Sequence, residues 1–89
     1  MNYRKIKIIN KLGLHARAAA KFVQVASGFN AEINIKFVHR EVSGKSIMGL
    51  MMLAAGKNAV IEVRTIGSDE DEAMMAISAL INDKFGEDE

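Results

Sequence analysis

The chain has 89 residues, 49% hydrophobic and 26% charged, with a formal net charge of +1. That length suits a single domain over residues 1–89, one that buries roughly 60–65% of the surface its unfolded state exposes, so its core must be simple. The near-neutral balance leaves no basic footprint for nucleic acid, and the lack of cysteine excludes disulfides and thiolate metal sites.

The first predicted element is a half-buried strand in "YRKIKII", where Ile6 and Ile8 alternate with Lys5 and Lys7. "MNYRKIKII" has no long apolar core of a secretory signal, and no run reaches transmembrane length. A cytoplasmic monomer without membrane contact is therefore expected. From Ala16 to Ser27 the spacing turns helical: Ala19, Ala20, Val23 and Ala26 share one face, opposite Arg17, Lys21 and Gln24. Gly28 follows as the residue helix C-termini favour. "AEINIKF" alternates again, with Ile33, Ile35 and Phe37 on one side, and a short "REV" strand pairs back onto it. "SIMGLMML" predicts a short helix, because Ser46 is a good N-cap while Gly49, Met51 and Met52 are poor strand formers. "NAVIEVRTI" is a strand between Gly56 and Gly67. The last helix runs from about Asp69 to Lys84, capped by Ser68 or Asp69. The carboxylates of Asp69 to Glu72 lie at the positive end of its dipole, and Ala73, Ala76, Ile77, Leu80 and Ile81 on its core face. The closing "GEDE" reads as a frayed tail.

The order is thus β-α-β-β-α-β-α. One apolar face per strand predicts a four-stranded antiparallel sheet with helices on one face, an α/β two-layer open-faced sandwich.

Several chemistries fall away on motif grounds. "GKS" at Gly44 to Ser46 resembles the end of a phosphate-binding loop, but His39 stands where that motif needs glycine. The two histidines, His15 and His39, lack the clustered ligands a metal site requires, so neither a metal nor a cofactor is expected. A hydrolase would need a nucleophile on a sharp turn beside a large pocket, for which this chain has little room.

"NKLGLHARAAAKF", Asn10 to Phe22, is different. Gly13 allows a tight turn before a helix, and the free amides of Ala16, Arg17 and Ala18 at the helix start attract anions. Arg17 adds a planar cationic fork suited to phosphate. An ordinary imidazole is largely neutral near pH 7 and carries a nucleophilic nitrogen. A phosphoryl group placed on His15 would therefore lie in an electropositive nest. The bland alternative makes His15 a simple helix cap. His39, in the expected hairpin, reads as exposed and structural.

"GLHARAAAKFV" together with "GKSIMGLMMLAAGKNAVIEV" resembles the histidine-containing phosphocarrier (HPr) family of the phosphoenolpyruvate-dependent phosphotransferase system, over essentially the whole chain. The resemblance implies strand order 1-4-2-3 and a phosphoryl relay. His15 would accept the group on Nδ1 from phosphorylated enzyme I and pass it to an enzyme II A component, with Arg17 in the same site. Ser46 matches a serine that a regulatory kinase phosphorylates in some branches, which implies a kinase and phosphatase as further partners. The family usually has proline where this chain has Ala18. Alanine there should cost about 0.4–1 kcal/mol through a looser unfolded chain.

"NKLGLHAR", "GFNAEI" and "ISALINDKFGEDE" resemble the nitrogen-related carrier, NPr, whereas "KSIMGLMML" resembles sugar-system carriers that keep a regulatory serine. The balance leans to a regulatory, NPr-like role. The helix after Ser46 supplies a docking surface. With Ile47, Leu50 and Met51 toward the core, Met48 and Met52 must be exposed. Ile47, Met48, Met52 and Lys45 are the expected docking residues, with Arg17 and Lys45 forming a cationic rim beside His15. A non-catalytic interaction module controlled by protein binding or Ser46 phosphorylation is the alternative. An enzyme proper is the weakest option.

Overall fold

The computed structural model describes residues 1–89. Its elements are β1 (Asn2–Lys7), α1 (Ala16–Ala26), β2 (Glu32–Phe37), β3 (Arg40–Ser43), α2 (Ile47–Met52), β4 (Val60–Ile66) and α3 (Glu70–Asn82). A 3-10 turn, Lys84–Gly86, follows α3. The four strands form one sheet in the order β1-β4-β2-β3, and every neighbouring pair is antiparallel. This is the expected open-faced sandwich.

Strand alternation produces the two layers. Ile6, Ile33, Ile35, Ile61 and Val63 point inward and are buried against the helices. The outer face carries a charged row across all four strands, in which Lys5 pairs with Glu62, Glu62 with Lys36, and Lys36 with Glu41. Alternating signs at facing positions stabilise the sheet, and Tyr3, Val60 and Ile66 leave exposed apolar surface on the same side.

The helical faces depart from the sequence reading in detail. α1 buries Ala18, Ala19, Phe22 and Ala26, while Ala20 is exposed. Phe22, the largest buried side chain of that helix, sets its rotation, because alanine fits either face and cannot compete with a ring for the core. Gly28 does not adopt the left-handed conformation of a C-terminal cap; α1 ends instead with Ser27 in helical geometry. α3 buries Ala73, Met74, Ile77, Ser78 and Ile81, with Ala76 and Leu80 half-buried beside them. Asp69 precedes α3 but makes no capping bond to it. Its carboxylate accepts from the amides of Asn30 and Ala31, each at 2.8 Å, and so ties the start of α3 to the start of β2.

The tail is the largest departure. The residues after α3 are not frayed: Phe85 is fully buried, and Lys21 donates to its carbonyl at 2.6 Å. That contact turns the chain back across the start of α1. No helix is long and apolar enough to cross a membrane.

Candidate functional site

Gly13 sets up the turn that precedes α1. Its φ is +65°, and a Cβ there would lie 2.4 Å from the Ala55 carbonyl oxygen, so no other residue fits without displacing backbone. Leu14 then donates its amide to that same carbonyl at 2.9 Å. The turn is thereby fixed against the segment leaving α2, and His15 follows at the N-cap of α1.

His15 has extended backbone geometry and makes no side-chain capping bond. Its carbonyl accepts the amide of Ala19 at 2.8 Å, so the helix begins at once. The amides of Ala16, Arg17 and Ala18 have no partner in the protein, as expected for a first helical turn. Ala18 is fully buried, however, while Ala16 and Arg17 are exposed. Burial closes the Ala18 amide to solvent, so of the three expected only those of Ala16 and Arg17 belong to exposed residues.

The Arg17 side chain forms no ion pair or hydrogen bond. It lines an open cleft of about 500 Å³ with Lys11, Leu12, His15 and the acidic tail, Glu87 to Glu89. The His15 ring is about a quarter exposed, and its Nε2 lies 2.5 Å from Glu87 Oε2. Nδ1 has no partner within the protein and is not buried. Burial alone would raise the Glu87 pKa. Hydrogen bonds from Asn10 and His15, together with the charges of His15 and Arg17, outweigh that and hold it below the ordinary carboxylate value.

Ser46 is the N-cap of α2 as expected, its Oγ accepting the amide of Gly49 at 3.1 Å. Of the helix itself only Leu50 is buried. Ile47 and Met51, expected in the core, are each 41% exposed, and join Met48 and Met52 in a continuous apolar surface. A helix this short, pressed on the sheet by one leucine and the following Leu53, has no second row to bury. Lys45 is not part of a rim beside His15. Its ammonium donates to the Phe29 carbonyl at 2.8 Å, at the far end of α1, so α2 runs antiparallel to α1 and approaches His15 only at its C-terminal end. His39 is exposed in the turn between β2 and β3.

The motif reading missed Asn10 and Glu87. Asn10 stood at the head of the stretch that carries His15, and its complete burial is what distinguishes it. Glu87 was concealed among acidic tail residues that look alike in sequence.

Comparison with known proteins fits this arrangement. The family model described as "PTS HPr component phosphorylation site" matches residues 3–83. The chain belongs to the HPr family. It is accordingly a phosphocarrier of the phosphotransferase system and not a catalytic enzyme. It is 59% identical to a phosphocarrier protein HPr of Neisseria meningitidis serogroup A, over 97% of both chains. Identity to a phosphocarrier protein NPr of Shewanella violacea is 46%, over 94% of this chain and 92% of that one. The crystal structure of HPr-C-His from Thermoanaerobacter tengcongensis superposes with a TM-score of 0.96 at 45% identity, covering all of both chains.

Proposed function

We propose that His15 carries the phosphoryl group of this phosphocarrier, on Nδ1, taking it from phosphorylated enzyme I and passing it to an enzyme II A component. The observation that supports this best is an unpartnered Nδ1 at the mouth of a helix whose first amides are free. The group transferred spreads its charge over its outer oxygens, and fixed dipoles and a planar cation aimed there lower the barrier. Ala16 and Arg17 supply the amides, and the Arg17 guanidinium, free of any internal partner, supplies the cation. A carrier must also release its cargo, so these groups act on the transfer itself rather than by tight binding of the phosphorylated ground state.

Both partners dock on the exposed face of α2, Ile47, Met48, Met51 and Met52, whose flexible side chains suit successive surfaces. Higher identity to a relative named HPr than to one named NPr supports a general carrier role over the nitrogen branch. The row of alternating charges across the outer sheet face supports a monomer, and we place the protein in the cytoplasm with its partners. Ser46 is a regulatory phosphosite for a kinase and phosphatase. It is half-exposed at a helix start, where added negative charge is tolerated by the dipole. Ser46→Asp should stay folded yet accept phosphoryl groups from enzyme I more slowly; equal rates would remove the regulatory role.

Incubation with phosphoenolpyruvate and enzyme I tests the relay. Acid-labile phosphate should form on the native chain and on His39→Ala, and vanish in His15→Ala. Labelling that survives loss of His15 would end the His15 relay reading, and a native chain that takes none would leave an interaction module instead.

A further inference from the structure

Three side chains from two distant parts of the sequence meet beside α1. Asn10, fully buried, donates from Nδ2 to the Gly13 carbonyl at 2.9 Å and to Glu87 Oε1 at 3.0 Å. Glu87 turns its other oxygen, Oε2, to His15 Nε2 at 2.5 Å. Asn10 Oδ1 has no donor at all. The two donor bonds alone therefore orient the amide. One of these steadies the turn at Gly13, the other the carboxylate. Behind Glu87, the buried Phe85 ring and the Lys21 bond to its carbonyl anchor the strap that carries it.

We propose that Glu87, held by Asn10, is a positioning residue for phosphoryl transfer: it accepts the Nε2–H of His15, fixes the imidazole tautomer and leaves Nδ1 as the attacking nitrogen. The proposal rests on His15 being the phosphoacceptor. A neutral imidazole has one protonated and one bare nitrogen, and the partner of the first decides which is the second. With the proton on Nε2, the Nδ1 lone pair forms the new N–P bond while the bond from phosphorus to the donor breaks and leaves its pair on the donor. The ring then carries positive charge with Nε2–H still in place, facing an anionic Glu87. The depressed Glu87 pKa keeps that carboxylate ionised at neutral pH. On transfer to the acceptor the same steps run in reverse, so Glu87 serves both halves of the relay without touching the phosphoryl group.

Long-range 15N–1H spectra of the full chain above about pH 8, where an ordinary imidazole is neutral, read the tautomer directly. Native protein should show His15 protonated at Nε2, with a downfield proton protected from solvent exchange. Glu87→Ala should lose that proton signal, and its single-turnover transfer rate from phosphorylated enzyme I should fall roughly tenfold with unchanged KM. Glu87→Asp should recover part of the rate. Glu87→Gln, which keeps shape and loses charge, carries the same kinetic comparison if the alanine variant unfolds. A native ring without a protected Nε2 proton, or variants that transfer at the native rate, would overturn the proposal. The His15→Ala labelling experiment does not depend on Glu87, so either result would leave the phosphoacceptor reading standing.

Discussion

The chemistry of single residues explains why the proposed site at His15 stays open to an anion. His15 begins a helix without capping it, which leaves the amides of Ala16 and Arg17 for an anion. Arg17 has no internal partner to satisfy, so its fork is available to the transferring oxygens. Arg17→Ala should therefore slow transfer in both directions while leaving thermal stability nearly unchanged. Stopped-flow transfer with enzyme I, alongside a melting curve, checks this. Unchanged transfer would reduce Arg17 to a solvated helix residue. Ala18 contributes differently. It is buried against the core, so its value to the site lies in packing rather than in an exposed amide.

Helices and strands show which parts of the fold the sequence makes legible. Strand alternation was unambiguous because Ile33, Ile35, Ile61 and Val63 differ sharply from their neighbours in hydropathy, and a period of two leaves one choice of face. α1 was harder to orient. Four of its first five residues are alanine, which carries little apolar area, and Phe22 alone decided the rotation. The position of His15 needed only local signals: a glycine, a histidine and a helix start in succession. The position of Glu87 needed the tail to fold back more than seventy residues along the chain. A lone Phe85 among charged residues was the only local sign of that, and local pattern carries no record of such distant contacts. Asp69 has the same origin: its type fitted a helix cap, and its real partners are the amides of Asn30 and Ala31. The proposed docking role of α2 belongs at this scale too. Met48 is 70% exposed, so Met48→Glu should leave the fold intact while raising KM for enzyme I and for the acceptor. A folded variant with native KM values for both would show that partners dock elsewhere.

Across the whole molecule, carboxylates tie segments that are far apart in sequence, and their protonation links stability to pH. The two backbone amides donating to Asp69, chiefly that of Asn30, lower its pKa below the usual 3.8 despite partial desolvation. The N-terminal ammonium, with the Gly67 amide, lowers that of Glu70 below the usual 4.5. A carboxyl depressed in the folded state stabilises the protein above its unfolded value and loses that contribution as pH falls through its folded value. Melting temperature should thus decline as pH drops below 4.5 and 3.8. In Asp69→Asn it should start lower at neutral pH and decline less. Parallel curves for the two proteins would show that Asp69 does not contribute through its charge.

The same long-range folding gives the His15 ring two unlike nitrogens, Nε2 against the tail carboxylate and Nδ1 without a partner in the protein. Combined 31P and 15N spectra of the full chain, phosphorylated by enzyme I and phosphoenolpyruvate, test this arrangement most directly. The account predicts one phosphohistidine signal, with phosphorus on Nδ1 of His15. Phosphorus on Nε2 of that ring, on His39 or on a hydroxyl would contradict it.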